Sequence, residues 1–134
     1  MANEAVIVEL LGDEGDVIDL TVAAAGTIPK GTLMRLGDGR SGAASLAGAL
    51  LPPIFAGVTT HEKASGATNV SVYTHGIFDL YAHGVAITAG DRVVLSGANY
   101  ISGSGAVFNS NQVGRALETT VAGTEEQIEV MINI

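Results

Sequence analysis

Apolar residues recur along this chain mostly at every second position, and short clusters of turn-forming residues separate the runs. Val6, Val8 and Leu10 form the first such set, which stops at Gly12-Asp13-Glu14-Gly15. Ile18, Leu20 and Val22 form the second, and an acidic turn bracketed by glycines joins the two, a pattern that predicts a β-hairpin. Pro29-Lys30-Gly31 predicts a turn into a short strand over Thr32–Leu36. Further strands are predicted over Ile54–Thr60, Val70–Ala82, Asp91–Leu95 and Val113–Glu118, with a short element at Tyr100-Ile101. Gly76 marks a bulge or bend within the longest run. The closing alternation of Ile128, Val130, Ile132 and Ile134 predicts a last strand. About nine short strands with no convincing long helix define an all-β domain, a small barrel or sandwich, over residues 1–134.

One stretch breaks the pattern. Residues 37–53, GDGRSGAASLAGALLPP, are rich in Gly and Ala, then apolar, then closed by two prolines. They predict a long loop excursion in which Ala43–Leu51 could form two turns of helix, ended by the restriction that Pro52 places on Leu51. Leu46, Leu50, Leu51, Ile54 and Phe55 cluster in the excursion and its exit. Apolar residues on a loop need a surface to cover, which is either one end of the barrel or a neighbouring subunit. The two readings are compatible.

Composition narrows the class. The chain has 134 residues, room for one core, and no cysteine, which removes disulfides, thiolate metal sites and cysteine nucleophiles together. Fourteen acidic residues against six basic ones give a net charge of −8, which disfavours nucleic acid and anionic lipid as partners. Residues 1–20 carry acids within the apolar stretch and no basic leader, so no secretory signal is expected there. No uncharged apolar run approaches the ~20 residues of a membrane span. Val, Ile and Thr together number 35, which favours sheet, while 19 Ala and 18 Gly make the core one of small pieces.

The candidate chemistry is thin. Gly37-Asp38-Gly39-Arg40-Ser41-Gly42 matches G-x-G-x-x-G, but that fingerprint works inside a βαβ unit, and no parallel crossover follows here. His75, Asp79 and His83 fit H-x3-D-x3-H, yet on a strand four residues span ~13 Å, too far for one ion. No G-x-S-x-G or P-loop sequence occurs. No catalytic, cofactor-binding or metal site is predicted, and the chain reads as a protein without enzymatic activity.

The segments Gly76-Ile77-Phe78-Asp79-Leu80 and Ile87-Thr88-Ala89-Gly90-Asp91-Arg92-Val93-Val94-Leu95 resemble the centre of the tailed-phage capsid cement, or head decoration, proteins. Val113-Gly114-Arg115-Ala116-Leu117-Glu118, then Ala122-Gly123-Thr124, is similar to that family's ending, and Pro29-Lys30-Gly31-Thr32-Leu33 to an early step. The order and spacing of these elements carry the resemblance over roughly residues 27–134, with the 37–53 excursion poorly matched. The resemblance implies a β-tulip-like barrel that binds the outer surface of an expanded capsid as a homotrimer at three-fold positions. Its partners would be the major capsid protein and copies of itself, and it would be made in the host cytoplasm before joining the virion. The apolar group Leu46, Leu50, Leu51, Ile54 and Phe55 is then the expected trimer contact. Ala2, Asn3, Glu4 and Ala5 are the expected capsid contact, by resemblance alone. The alternative is a monomeric β-sandwich binding module.

Overall fold

The computed structural model describes residues 3–45, 54–83, 86–105, 112–120 and 125–133. Eleven strands are described: β1 (Val6–Leu10), β2 (Ile18–Thr21), β3 (Leu33–Gly37), β4 (Ser41–Ala44), β5 (Phe55–Thr59) and β6 (Asn69–Tyr73), then β7 (His75–Ala82), β8 (Arg92–Leu95), β9 (Tyr100–Gly105), β10 (Gln112–Ala116) and β11 (Glu126–Asn133). No helix occurs among the described residues. The protein is all-β, as the alternation predicts.

The strands form two closed systems. One is a barrel in the order β2-β4-β3-β5-β6. The other is a sheet in the order β1-β7-β11-β10-β8-β9, and a parallel pairing of β7 with β9 at Tyr81–Tyr100 and Ala82–Ile101 rings it shut. β1 stays outside that ring, on the edge of β7, with Val6 opposite Asp79 and Leu10 opposite Gly76. The bulge lies on β1, between Ile7 and Glu9, opposite Phe78 and Ile77, so it falls next to Gly76 and on the partner strand rather than on Gly76 itself.

The predicted hairpin between the first two strands does not form. β1 pairs with β7 in the larger ring, and β2 pairs with β6 in the smaller barrel, Ile18 opposite Val72 and Thr21 opposite Asn69. Residues 6–21 thus run antiparallel to residues 69–79, and both passes cross from one ring to the other. The interruption in the second pass is Thr74, whose Oγ1 donates to the Asp16 carbonyl at 2.6 Å, while its backbone N–H and that of His75 donate to Gly15 O. The acidic Gly-rich turn is therefore a crossing point. A partner strand remote in sequence supplies the ladder that a hairpin would have supplied locally.

Two cores follow. Phe78, Leu80 and Ala82 of β7 and Ile128, Val130 and Ile132 of β11 fill the larger ring, with Val93, Leu95, Ile101, Val113 and Ala116. Leu20, Val22, Met34, Ala56, Val70 and Val72 fill the smaller one. β3 and β5 form the wall between them: Leu33, Phe55 and Val58 face the larger core, Met34 and Ala56 the smaller. Burial on both faces explains why all five residues of Phe55–Thr59 are buried and why that run does not alternate with polar residues.

The 37–53 excursion is in part a hairpin. Asp38-Gly39-Arg40 turns β3 into β4, with positive φ at Gly39 (72°) and Arg40 (59°), and Met34 to Gly37 pair with Ala44 to Ser41. Ala43 and Ala44 are therefore in a strand, which corrects the predicted start of a helix at Ala43. Pairing with β3 satisfies their backbone groups, whereas two isolated helical turns are marginal. The G-x-G-x-x-G segment is this reversal and opens no helix, so it has no phosphate-binding terminus to offer.

One interior group was not foreseen. Lys63 is only 1% exposed. Its Nζ donates to the carbonyls of Ala23 at 2.8 Å, Ala24 at 3.2 Å and Ala67 at 3.1 Å. Its backbone exchanges hydrogen bonds with Ile28 at 3.0 and 2.8 Å. This lysine pins the segment after β2 to the loop before β6.

Candidate interaction surfaces

Of the expected trimer contacts, Leu46, Leu50 and Leu51 lie outside the described residues. Ile54 is 40% exposed at the entry to β5, and its carbonyl accepts from Leu36 N–H at 2.7 Å. Phe55 is 3% exposed and packs in the larger core, so the period-two pattern divides these neighbours between surface and interior.

Of the expected capsid contacts, Ala2 lies outside the described residues. Asn3, Glu4 and Ala5 are held against the body by a knot around Asn99. The Asn99 side chain donates to Asn3 O at 2.7 Å and Gly31 O at 3.0 Å, and accepts from Leu33 N–H at 2.6 Å. Ala5 is buried, and its N–H donates to Gly31 O at 2.9 Å. Asn99 is buried with φ 64°, a conformation asparagine tolerates better than most residues. The Gly/Ser-rich context of Asn99 gave no sign of this role.

Beyond Ala5 the chain becomes exposed and apolar. Val6 is 44% exposed, Val8 is 46% exposed and Ile7 lies between them, all on β1, whose only described strand partner is β7. β1 carries no lysine or proline, the residues that usually guard an open sheet edge.

A second surface is a cleft of about 580 Å³ where the smaller barrel's seam opens. β2 and β4 meet through a single parallel bridge, Thr21 to Ser41, and then part. The segment after β2 (Val22, Ile28), the edge of β4 (Gly42, Ala44) and the turn before β9 (Ala98, Asn99) line the gap. No ionisable side chain lines it among the described residues. Its described lining is mainly of small apolar side chains, with the hydroxyl-bearing Thr27, Thr32 and Ser45.

The titrating side chains among the described residues lie elsewhere, some alone and some in small groups. His75 Nδ1 is 3.0 Å from Asp16. His83 stacks edge-on against Tyr100, and His61 meets the Thr60 hydroxyl at 2.8 Å. Asp79 has neither of its sequence-spaced histidines as a partner. It sits opposite Glu129 on β11, and ligand atoms of Asp79, Glu118 and Glu129 lie within 4.8 Å of one another. The Glu118 carboxylate accepts from Glu129 N–H at 2.9 Å.

Partial burial, and next the negative charge of Glu118, raise the Asp79 pKa. A carboxyl whose pKa is higher folded than unfolded opposes folding while ionised. That penalty is present at neutral pH and is relieved as pH falls through the folded-state pKa. Asp79→Asn should therefore raise the melting temperature at pH 7 and leave it nearly unchanged at pH 3, as thermal melts across that range will read.

A small all-β protein with two fused rings, an open apolar strand and an uncharged cleft has the equipment of a structural binding protein. The family model for phage cement proteins matches residues 12–132, nearly the whole chain, and the protein belongs to that family. A search of curated proteins finds no match. Membership makes the protein a capsid-associated structural component of a phage.

Proposed function

We propose that this protein binds the outer surface of an expanded phage capsid as a trimer at three-fold positions and stabilises the shell. It is made in the host cytoplasm, and its partners there are the major capsid protein and two further copies of itself. The observation that carries the reading is the family match, and the open apolar strand β1 supports it as a surface left for a partner. The mechanism is mass action. Anything that binds the expanded shell and not its alternative stabilises it by about 2.7 kcal/mol per site at a ligand concentration ~100 times Kd, repeated over every site.

Co-sedimentation with undecorated shells tests the proposal. Saturable binding to expanded shells, and none to unexpanded ones, is the expected outcome. Absence of binding to both, with a monodisperse monomer by light scattering, would favour the monomeric binding module instead.

For the trimer contact, Ile54→Asp places a charge on an exposed position beside the excursion. It should weaken self-association about tenfold or more while changing the unfolding midpoint little. An unfolded variant, or one that associates normally, removes Ile54 from the contact.

A further inference from the structure

Resting on that trimeric reading, we infer that the open strand β1 of one copy seats in the seam cleft of the next, so that two different surfaces of the chain form one repeated contact. β1 presents Val6, Ile7 and Val8, exposed side chains that project from both faces of a strand with one edge unpaired among the described residues. The cleft offers the complementary shape. Its walls at Gly42, Ala44 and Ala98 are small, leaving about 580 Å³ of space, and no charged side chain lines it among the described residues. It also offers backbone. Ser45 N–H donates to Leu33 O on β3, so by antiparallel alternation the polar groups of Ala44 point away from β3, toward the seam, where the Ala44 carbonyl has only a long contact of 3.5 Å from Arg35 Nη2. An incoming strand finds both an apolar trough and a short edge to pair with.

Charge restricts where the second copy required by a trimer can make contact. At a net charge of −8, copies repel one another over most of their surface, and contact is least opposed between uncharged patches. The cleft is such a patch, and Val6–Val8 is a narrow one, bounded by Glu9 on the same strand and by Asp79 opposite Val6. Symmetry adds a separate argument. A patch that pairs with itself gives a two-fold dimer, whereas a strand and a separate receptor cleft give a head-to-tail contact, which closes into a ring when the rotation between copies permits and otherwise runs on as a filament. A trimer needs the second kind.

The test uses one variant on each surface, both at exposed positions. Val8→Lys places a guard charge on the open edge, and Ala98→Arg fills the cleft. Val6→Lys and Ala25→Arg serve as substitutes should circular dichroism show that either variant is unfolded. Association is read by sedimentation velocity in solution and by cross-linking on expanded shells. Each variant alone should form trimers at least 100-fold more weakly than the parent chain. Mixed in equal amounts they should give a 1:1 dimer and no trimer, because the intact strand of the cleft variant meets the intact cleft of the strand variant. A variant that forms trimers as the parent does, or a mixture that gives no dimer, overturns the inference. A parent chain that never associates, in solution or on shells, overturns the trimeric reading itself.

Discussion

Lys63→Met should lower the stability of the protein by about 3 kcal/mol. The buried Lys63 ammonium donates to the carbonyls of Ala23, Ala24 and Ala67, and the Ala24 carbonyl has a second donor in Gly66 N–H. Methionine fills a similar volume, so the loss isolates the hydrogen bonds rather than a cavity. An acceptor left unpaired out of reach of water costs about 1–3 kcal/mol. Ala24 O keeps the hydrogen bond from Gly66 N–H at 2.7 Å, so Ala23 O and Ala67 O are the two at stake, and water reaching them will reduce the sum. Urea unfolding reads the effect directly, and the slope of the transition should stay as in the parent because the surface exposed on unfolding is unchanged. A loss below about 0.5 kcal/mol would mean that solvent already reaches these carbonyls. The consequence extends to the cleft, since the 22–28 segment that Lys63 pins also forms one of its walls. Lys63→Met should therefore impair association at concentrations where the variant is still folded.

The sequence carries the larger ring more clearly than the smaller. Ile128, Val130 and Ile132 alternate with partly exposed or exposed residues and are all buried, because β11 has one face on the core and one toward solvent. The same holds for Phe78, Leu80 and Ala82. β5 lacks this signature because it separates two cores and is buried on both sides. β4 is built of Ser, Gly and Ala, residues with no apolar period to detect, and the turn at Gly39-Arg40 had to be seen to find it. The count of about nine strands becomes eleven by adding β4 and by dividing the 70–82 run at Thr74.

The motifs that carry the family resemblance turn out to be structural. Phe78 and Leu80 are core residues. In the turn before β8, the Asp91 carboxylate accepts from Thr88 N–H at 2.9 Å, and Gly90 N–H donates to Ala116 O at 2.8 Å. Such residues fix a backbone, and a backbone is what relatives share, so the family was legible from them. Surfaces that meet partners are not written in the same way. β1 reads as an ordinary alternating strand, and only its position at a sheet edge, with Val6 and Val8 uncovered, distinguishes it. The seam cleft depends on β2 and β4 parting after one bridge, which no local pattern announces.

Gly114→Ala is expected to be the most damaging single-methyl change in the larger ring. Gly114 lies in β10, between Ile132 of β11 and Val93 of β8, and is buried. A Cβ at this position runs into the Met131 carbonyl oxygen and comes within 3.0 Å of the Ile132 Cα. Both obstacles are backbone atoms of the adjacent strand, so no side chain can swing aside to make room. The strands must separate, and β10 joins β11 to β8, so the strain falls on two ladders at once. Overpacking of a buried site costs about 1–3 kcal/mol where neighbours can adjust, and a backbone obstacle places this site at or above the upper end. Arg115→Ala, at the exposed neighbouring position, provides the control and should stay within about 0.5 kcal/mol of the parent. Urea midpoints of the two variants make the comparison. A Gly114→Ala protein as stable as the control would mean that β10 and β11 lie farther apart than this geometry places them. The expected loss gives the glycine of the Val113-Gly114-Arg115-Ala116-Leu117-Glu118 segment a physical cause: two strands meet there too closely for any side chain.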